Sequence, residues 1–169
     1  MSTTQDDIHI RKPLAGDGYE IHQLIANSPP LDLNSVYSYY LLSNHFRDSC
    51  VVAESQGDIV GFLSAYRIPH QPQTLFIWQV VVNQAQRGKR VAWRMLESLL
   101  QRYQQNEVVQ IEATVNPSNA ASRRLFERLA EEQGTTLQEE TFLEATALSP
   151  EGDHESEILL RIPLNIENS

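Results

Sequence analysis

Several cations gather at one turn of a chain that is otherwise acidic. The stretch QVVVNQAQRGKRVAWRML (79–96) passes from an apolar run through a short polar loop into a helix-like pattern, and its cations are Arg87, Lys89, Arg90 and Arg94. The whole chain has a formal net charge of −9. A helix start offers unpaired N–H groups and the positive end of the helix dipole, and a loop of small residues lets a phosphate approach them. The segment RGKRVA (87–92) therefore predicts a site for an anion.

The same segment is also compatible with a plain surface turn, because short basic turns that contain a glycine are common. It is not a Walker loop, since the ending Lys-Ser/Thr is absent, and it lacks two of the three glycines of a dinucleotide fingerprint. The local pattern leaves an anion site and a solvated turn both open.

The composition limits the classes of function. With 169 residues the chain is long enough for one self-supporting domain, and 41% hydrophobic with 21% charged residues is typical of a globular protein. The excess of acid argues against general nucleic-acid binding and suits a small cationic substrate. The single Cys50 excludes an internal disulfide and a zinc site made of thiolates. We expect no metal site, because ligand spacing is missing at the histidines His9, His22, His45 and His70.

The chain shows no sign of a membrane or export signal. It has no apolar run of about 18 residues, and MSTTQDDIH at the N-terminus lacks the apolar core of a signal peptide. We therefore expect a cytoplasmic protein that binds neither a membrane nor nucleic acid.

Hydrophobic periodicity predicts the element order β-α-α-β-β-β-α-β-α-β-β. Asp17 and Glu20 have the spacing of a capping box for the first helix, and the second helix is expected from Asn34 or Ser35. A hairpin is indicated by two β-rich runs around a short turn, CVVAES, QGD and IVGFLSAYRI. The segment PHQPQ (69–73) is expected to be a loop, and the apolar run TLFIWQVVVN is expected to be a central strand. This order predicts a mixed α/β sheet with helices on both faces.

The cationic turn and its surroundings resemble the GNAT superfamily of N-acetyltransferases. In that family the loop after the fourth strand has the pattern Gln/Arg-x-x-Gly-x-Gly/Ala, and its backbone amides hold the pyrophosphate of acetyl-CoA. Residues 87–92 line up with this pattern, except that Arg90 stands where the family usually has Gly. A positive φ at Arg90 would be costly. The resemblance implies a single GNAT domain over residues 1–169, with six to seven strands and a splay between the fourth and fifth.

Longer motifs narrow the resemblance to one branch of the family. LDLNSVYSYYLL, CVVAES, GFLSAY, TLFIWQVVV and TVNPSNAASRRLF resemble the branch that acetylates L-2,4-diaminobutyrate in ectoine biosynthesis. The similarity runs from about residue 8 to residue 163. It implies transfer of an acetyl group from acetyl-CoA to the γ-amine of that diamino acid, a role in osmoprotection, and a homodimer, as in many GNAT enzymes.

The resemblance also implies roles for particular residues. Those expected to bind the cosubstrate are Val80, Val81, Val82, Arg87, Gly88, Lys89, Arg90, Val91, Ala92, Asn119, Ser122 and Phe126. Asp32 is expected to bind an ammonium group of the substrate, Asn34 and Tyr37 to add hydrogen bonds, and Trp78 to form a wall. The candidates for taking the proton of the amine are Glu157, His154 and Glu112.

Each of these side chains has a plain structural alternative. Asp32 and Asn34 have the spacing to cap the second helix, and Trp78 and Phe126 suit a hydrophobic core. His154 suits a solvated loop, and Glu112 suits the solvent face of a strand. Phe126 also stands where many GNAT enzymes have a Tyr that protonates the departing thiolate, and Phe cannot donate a proton.

Three other functions remain open from the sequence. The first is a GNAT enzyme that acetylates a polyamine or another small amine. The second is a module that binds CoA without catalysis, which the departures at Arg90 and Phe126 favour. The third is an interaction domain whose basic turn is ordinary surface.

Overall fold

The computed structural model describes residues 7–165, and its elements follow the predicted order. They are β1 (Ile8–Arg11), α1 (Gly18–Ala26), α2 (Val36–Asn44), β2 (Val51–Ser55), β3 (Asp58–Ile68), β4 (Gln71–Val82), α3 (Val91–Leu100), β5 (Gln110–Val115), α4 (Ala120–Gln133), β6 (Gln138–Leu143), α5 (Ala145–Leu148) and β7 (Glu157–Pro163). Sequence reasoning did not predict the short helix α5. Among the described residues, no helix combines the length and apolar character needed to cross a membrane.

The strands form one seven-stranded mixed sheet, which confirms the predicted fold class. Their order is β1-β2-β3-β4-β5-β7-β6, and β4 is parallel to β5. That parallel ladder joins Thr74–Ile77 to Gln110–Ala113. Both strands continue beyond it, β4 to Val82 and β5 to Val115. The ladder thus ends before its strands do, as expected where two strands of a GNAT sheet part.

The described residues form two compact units, and the first contains residues 7–66 and Gln79–Arg102. Its core is built from apolar side chains of α1, α2, β2, β3 and the end of β4, with Ile21, Tyr39 and Phe62 fully buried. Helix α3 packs on β1 and β2. Gly18 lets α1 approach α2 closely, because a Cβ there would lie 2.6 Å from the ring of Tyr40.

The second unit contains Arg67–Trp78 and residues 103–165. Helix α4 packs on β7, and β7 pairs with β5 and β6. Its buried side chains include Leu75, Ile111, Phe126, Leu129 and Leu160.

The hairpin of β2 and β3 turns on two residues, Gln56 and Gly57. Both have positive φ, 51° and 85°. A two-residue turn with positive φ at both positions is type I′, which matches the right-handed twist of the flanking strands. The hairpin prediction is confirmed. The loop predicted over residues 69–73 is shorter than expected, because β3 ends at Ile68 and β4 begins at Gln71.

The capping box predicted for α1 is also wrong. Asp17 is the N-cap residue but its side chain makes no capping bond. Its carboxylate accepts hydrogen bonds from Leu14 N and from the guanidinium of Arg11 instead. Glu20 accepts from Ile59 N, at the start of β3. Both carboxylates are therefore used in contacts outside the helix, which local spacing does not reveal.

Cys50, the only cysteine, lies fully buried beside β2. Its Sγ is 3.9 Å from the carbonyl oxygen of Ala65. Burial raises the pKa of the Cys50 thiol to about 11. The thiol therefore behaves as a small apolar group of the core.

Candidate active site

The loop 87–92 enters α3 through two residues in the left-handed region. Gly88 has φ of +85° and Arg90 has φ of +58°. A Cβ at Gly88 would meet no atom within 4 Å, so space does not require glycine there. The positive φ is what favours glycine at this position. Arg90, which stands where the family pattern has Gly, lies in the left-handed region, which is strained for a residue with a Cβ. The loop therefore has positive φ at residue 90 even though that residue is Arg.

The beginning of α3 has no side-chain cap. Arg90 is its N-cap residue and makes no capping bond, whereas Ser35 caps α2 and Asn119 caps α4. The side chains of Arg87, Lys89 and Arg90 are exposed beside this helix start. Uncapped amides, the helix dipole and nearby cations together suit a phosphate or pyrophosphate group.

The end of β4 directs alternate amides away from β3. Gln79 N–H donates to Ser64 Oγ at 3.1 Å, and Asn83 N–H donates to the carbonyl oxygen of Val60 at 2.7 Å. Successive N–H groups of a strand point to opposite sides. The amides of Val80 and Val82 therefore point to the edge of β4 opposite β3, whereas the amide of Val81 points toward β3.

The segment before α2 is held by its backbone, and its side chains stay accessible. Ser35 caps α2 by accepting from Ser38 N, so the alternative that Asp32 and Asn34 cap the helix is wrong. The carbonyl oxygen of Asp32 accepts from Gln79 Nε2 at 2.7 Å, and Asn34 N donates to Tyr39 Oη at 3.3 Å. The side chain of Asp32 is exposed, and that of Asn34 is half-buried.

Two aromatic residues expected near the substrate are accessible. Tyr37 is 71% exposed and Trp78 is 42% exposed. The alternative that Trp78 belongs to a hydrophobic core is therefore wrong. Its neighbours in the strand, Ile77 and Gln79, are buried, since successive side chains of β4 point to opposite faces.

No role was assigned to Gln79 or to Tyr39 from the sequence. Tyr39 is fully buried and Gln79 is 6% exposed, and they are joined by a hydrogen bond of 3.1 Å from Tyr39 Oη to Gln79 Oε1. A lone amide inside the apolar run FIWQVVV was the signal that could have identified Gln79, because a buried amide needs partners.

Glu112, one of the three proton-acceptor candidates, is buried in an ion pair. Its Oε1 accepts from Arg161 Nε at 3.0 Å and from Gln110 Nε2 at 3.1 Å. Arg161 also donates to Glu140, and its hydrogen bonds to Glu112 and Glu140 raise the pKa of Arg161. The alternative that Glu112 faces solvent is wrong, because its side chain is 9% exposed. Its geometry is that of a cross-strand structural contact.

Glu157 and His154 are more accessible. Glu157 begins β7, and its Oε1 accepts from Asn116 Nδ2 at 2.8 Å. His154 Nδ1 lies 2.8 Å from the carbonyl oxygen of Glu155. A carbonyl oxygen only accepts, so Nδ1 carries the hydrogen and Nε2 is the basic nitrogen of the neutral ring. Both side chains are half-buried and suited to proton transfer.

The remaining candidates lie at α4. Asn119 Oδ1 accepts from Ser122 N at 3.2 Å, which leaves its Nδ2 as the group for another partner. Phe126 is 2% exposed, so the alternative that it packs in the core is confirmed. Such burial leaves little of its ring for a ligand. Within residues 7–165, no cluster of His, Cys, Asp or Glu is arranged to hold a metal ion.

Comparison with known proteins identifies close relatives. The model of the Acetyltransferase (GNAT) family matches residues 18–130. The L-2,4-diaminobutyric acid acetyltransferase of Vibrio cholerae is 48% identical over 158 residues, which cover 94% of this chain and 91% of that protein. The enzyme of the same name from Halomonas elongata is 42% identical over 156 residues, covering 92% of this chain and 80% of that protein.

One solved structure is similar to nearly the whole chain. The diaminobutyrate acetyltransferase EctA from Paenibacillus lautus, in complex with L-2,4-diaminobutyric acid and coenzyme A, is similar with a TM-score of 0.89 and 43% identity. The similarity covers 96% of this chain and 97% of that one. Ard1 from Thermoplasma volcanium, with a TM-score of 0.76 and 14% identity, shares the fold.

We predict that Arg90→Gly stabilises the protein by about 0.5–1 kcal/mol, because glycine adopts positive φ without strain while gaining some freedom in the unfolded chain. The measurement is the free energy of unfolding from urea titration. Arg90→Ala is the matched control, since it removes the guanidinium and keeps the strain. If Arg90→Gly is no more stable than Arg90→Ala, the strain at residue 90 does not exceed the entropic cost of glycine, and the prediction is wrong.

Proposed function

The chain belongs to the GNAT family of acetyltransferases, and we propose that it transfers the acetyl group of acetyl-CoA to the γ-amine of L-2,4-diaminobutyrate. The product is N4-acetyl-L-2,4-diaminobutyrate. The observation that carries the substrate is the identity of 42–48%, over more than nine tenths of this chain, with enzymes named for diaminobutyrate. The loop 87–92 and the uncapped start of α3 support the use of CoA independently.

The pyrophosphate of CoA binds at the loop 87–92. The amides of the loop and of the first turn of α3, at Val91 and Ala92, donate to it, and Arg87, Lys89 and Arg90 add charge-assisted contacts. Asn119 Nδ2 donates to the pantetheine arm, and Ser122 lies one turn along the same helix. Phe126 is left out of this site because it is buried in the core.

The thioester oxygen accepts hydrogen bonds from β4. Val80 and Val82 supply these donors, since their amides point away from β3, and Val81 contributes packing. Donors fixed in a strand need no reorganisation as negative charge develops on the oxygen, so they stabilise the tetrahedral intermediate.

The reaction needs a neutral amine. An alkylammonium with a pKa of about 10 is only roughly 0.1% neutral at pH 7, so a protein group must remove its proton. The amine nitrogen then attacks the carbonyl carbon of the thioester, and the carbon–sulfur bond breaks as the tetrahedral intermediate collapses. The electron pair leaves with sulfur as a thiolate, and the nitrogen loses its remaining extra proton as the amide forms. A water molecule carries this proton from nitrogen to the thiolate, because Phe126 has no proton to give.

The diamino acid is recognised by the segment before α2. The exposed carboxylate of Asp32 pairs with an ammonium group of the substrate, and Asn34 and Tyr37 add hydrogen bonds. Trp78, which is 42% exposed, forms an apolar wall for the aliphatic or cationic part of the substrate.

Glu157 is the first candidate for the general base, and His154 is the second. The carboxylate of Glu157 is oriented by the hydrogen bond that it accepts from Asn116 Nδ2. Glu112 shares its carboxylate with Arg161, and we assign it a structural role.

The proposal also covers the domain organisation, the pathway, the cellular location and the oligomeric state. The chain acts as a single GNAT domain, because the family match over residues 18–130 includes residues of both units and β4 runs without a break through the division between them. We place the reaction in the biosynthesis of ectoine, in the cytoplasm, with a role in osmoprotection. We also propose a homodimer, by analogy with many GNAT enzymes.

Incubation of the protein with acetyl-CoA and L-2,4-diaminobutyrate tests the function directly. We expect one acetyl group on the product, located on the γ-nitrogen by fragmentation in mass spectrometry. A panel of putrescine and other small amines serves as the control for a less selective enzyme. Equal turnover of putrescine, or acetyl-CoA binding with no turnover of any amine, would reject the proposed reaction.

Asp32→Asn should raise the KM for diaminobutyrate about 10- to 100-fold, because it removes a charge-assisted contact with the ammonium group. The KM for acetyl-CoA should stay close to that of the unchanged protein. Asp58→Asn, which alters another exposed acid of the first unit, is the control. A parallel loss of affinity for both substrates would assign Asp32 a structural role.

Glu157→Gln should lower kcat about 100-fold or more, since an amide cannot accept the proton but still accepts the hydrogen bond of Asn116. Glu112→Gln is the matched control, and it should reduce stability while changing kcat little. Steady-state kinetics and thermal unfolding of both variants measure this. The reverse pattern, with kcat lost only in Glu112→Gln, would reverse the two assignments.

A further inference from the structure

A closed circuit of hydrogen bonds joins β4 to the segment before α2. Gln79 Nε2 donates to the carbonyl oxygen of Asp32 at 2.7 Å, and Gln79 Oε1 accepts from Tyr39 Oη at 3.1 Å. Tyr39 Oη in turn accepts from Asn34 N at 3.3 Å. One buried amide and one buried hydroxyl thus hold both ends of the segment Asp32 to Asn34.

The direction of every bond in this circuit is fixed. Asn34 N can only donate, so the oxygen of Tyr39 accepts there and its hydrogen is directed to Gln79. The carbonyl oxygen of Asp32 can only accept, so the amide of Gln79 must present its nitrogen to that oxygen. The circuit is therefore satisfied by a single arrangement, and a shift of the segment along β4 would break two or more bonds.

The two side chains of the circuit are held firmly. Tyr39 is fully buried, and its ring makes edge contacts with the rings of His22 and Phe62, with centroid distances of 6.0 and 6.3 Å. The backbone N–H of Gln79 is bonded to Ser64 Oγ, and Ser64 is fully buried. Buried polar groups that lose a partner are costly, so this circuit resists deformation.

The circuit connects the two ends of the proposed reaction within one unit. This inference rests on the proposed function, in which Asp32 pairs with the substrate and Val80 donates to the thioester oxygen. Gln79 bonds to the backbone of Asp32 and precedes Val80 in β4. The distance from the carboxylate of Asp32 to the acetyl group is therefore set through Gln79 and Tyr39.

We propose that Gln79 and Tyr39 are positioning residues that select the chain length of the diamino acid. A substrate whose amino groups are separated by one carbon more or fewer places its terminal nitrogen away from the thioester carbon. A fixed segment rejects such substrates, because a small misplacement of the nucleophile lowers the rate strongly. A loosened segment moves to accommodate them.

Tyr39→Phe tests this role, because it removes only the hydroxyl and retains the buried ring. Three substrates are compared by kcat/KM: L-2,4-diaminobutyrate, the shorter L-2,3-diaminopropionate and the longer L-ornithine. We expect the preference for diaminobutyrate over each of the other two to fall about tenfold, the factor for one lost hydrogen bond. The KM for acetyl-CoA should change less than about twofold, since the loop 87–92 is untouched.

Gln79→Glu is a second, independent variant. It keeps an acceptor for Tyr39 but places an oxygen against the carbonyl of Asp32, so it should reduce the same preference at least as much. Tyr40→Phe is the matched control, because this hydroxyl belongs to the neighbouring residue of α2 and lies outside the circuit. Its chain-length preference should equal that of the unchanged protein. Thermal unfolding of all three variants measures stability separately.

The outcomes distinguish this inference from the proposed function. If the unchanged protein acetylates diaminobutyrate and both circuit variants lose stability without losing the chain-length preference, the circuit only supports packing and the inference is overturned. If the unchanged protein does not acetylate diaminobutyrate, the proposed function fails and the inference fails with it. A reduced preference in both circuit variants, with Tyr40→Phe unchanged, supports the inference.

Discussion

The hydrogen-bond pattern of β4 is the constraint on which the rest of the site depends. A strand has donors along both edges, and each donor needs a partner. The first part of β4 finds them in β5, through the ladder that ends at Ile77. Further along, Gln79 and Asn83 direct their amides to β3. The amides of Val80 and Val82 point the opposite way, beyond the end of the ladder with β5. The proposed mechanism uses these backbone donors of β4, where the ladder with β5 has ended.

The fold was largely predictable from the sequence because its signals are local. The β2–β3 hairpin follows from two β-rich runs around Gln56 and Gly57. Gly134, with positive φ, directly follows the last residue of α4, as is common at helix C-termini. The same locality explains the errors. Asp17 and Glu20 have capping-box spacing, yet their partners are Arg11 and the amide of Ile59. Spacing along the chain cannot show that a distant donor competes for a carboxylate.

The site was predictable only in part. The loop 87–92 could be recognised in the sequence by its cations and its glycine. The exposure of Trp78 agrees with the predicted contact to a ligand. Gln79 and Tyr39 were not assigned a role, because they meet only in the folded chain, where they are buried together although 40 positions apart in the sequence. Glu112 and Glu157 looked alike as acids on strands. Tertiary contacts separate them, since one is paired with a guanidinium and the other with an amide.

The burial of Cys50 has a consequence for an enzyme whose reaction liberates a thiol at every turnover. Free coenzyme A can enter thiol–disulfide exchange, and an accessible protein thiolate would be open to mixed-disulfide formation under oxidising conditions. With its pKa raised to about 11, Cys50 is ionised in only about one molecule in ten thousand at pH 7, and its sulfur is shielded from solvent. The sole cysteine of the chain is thereby protected from modification by the enzyme's own product.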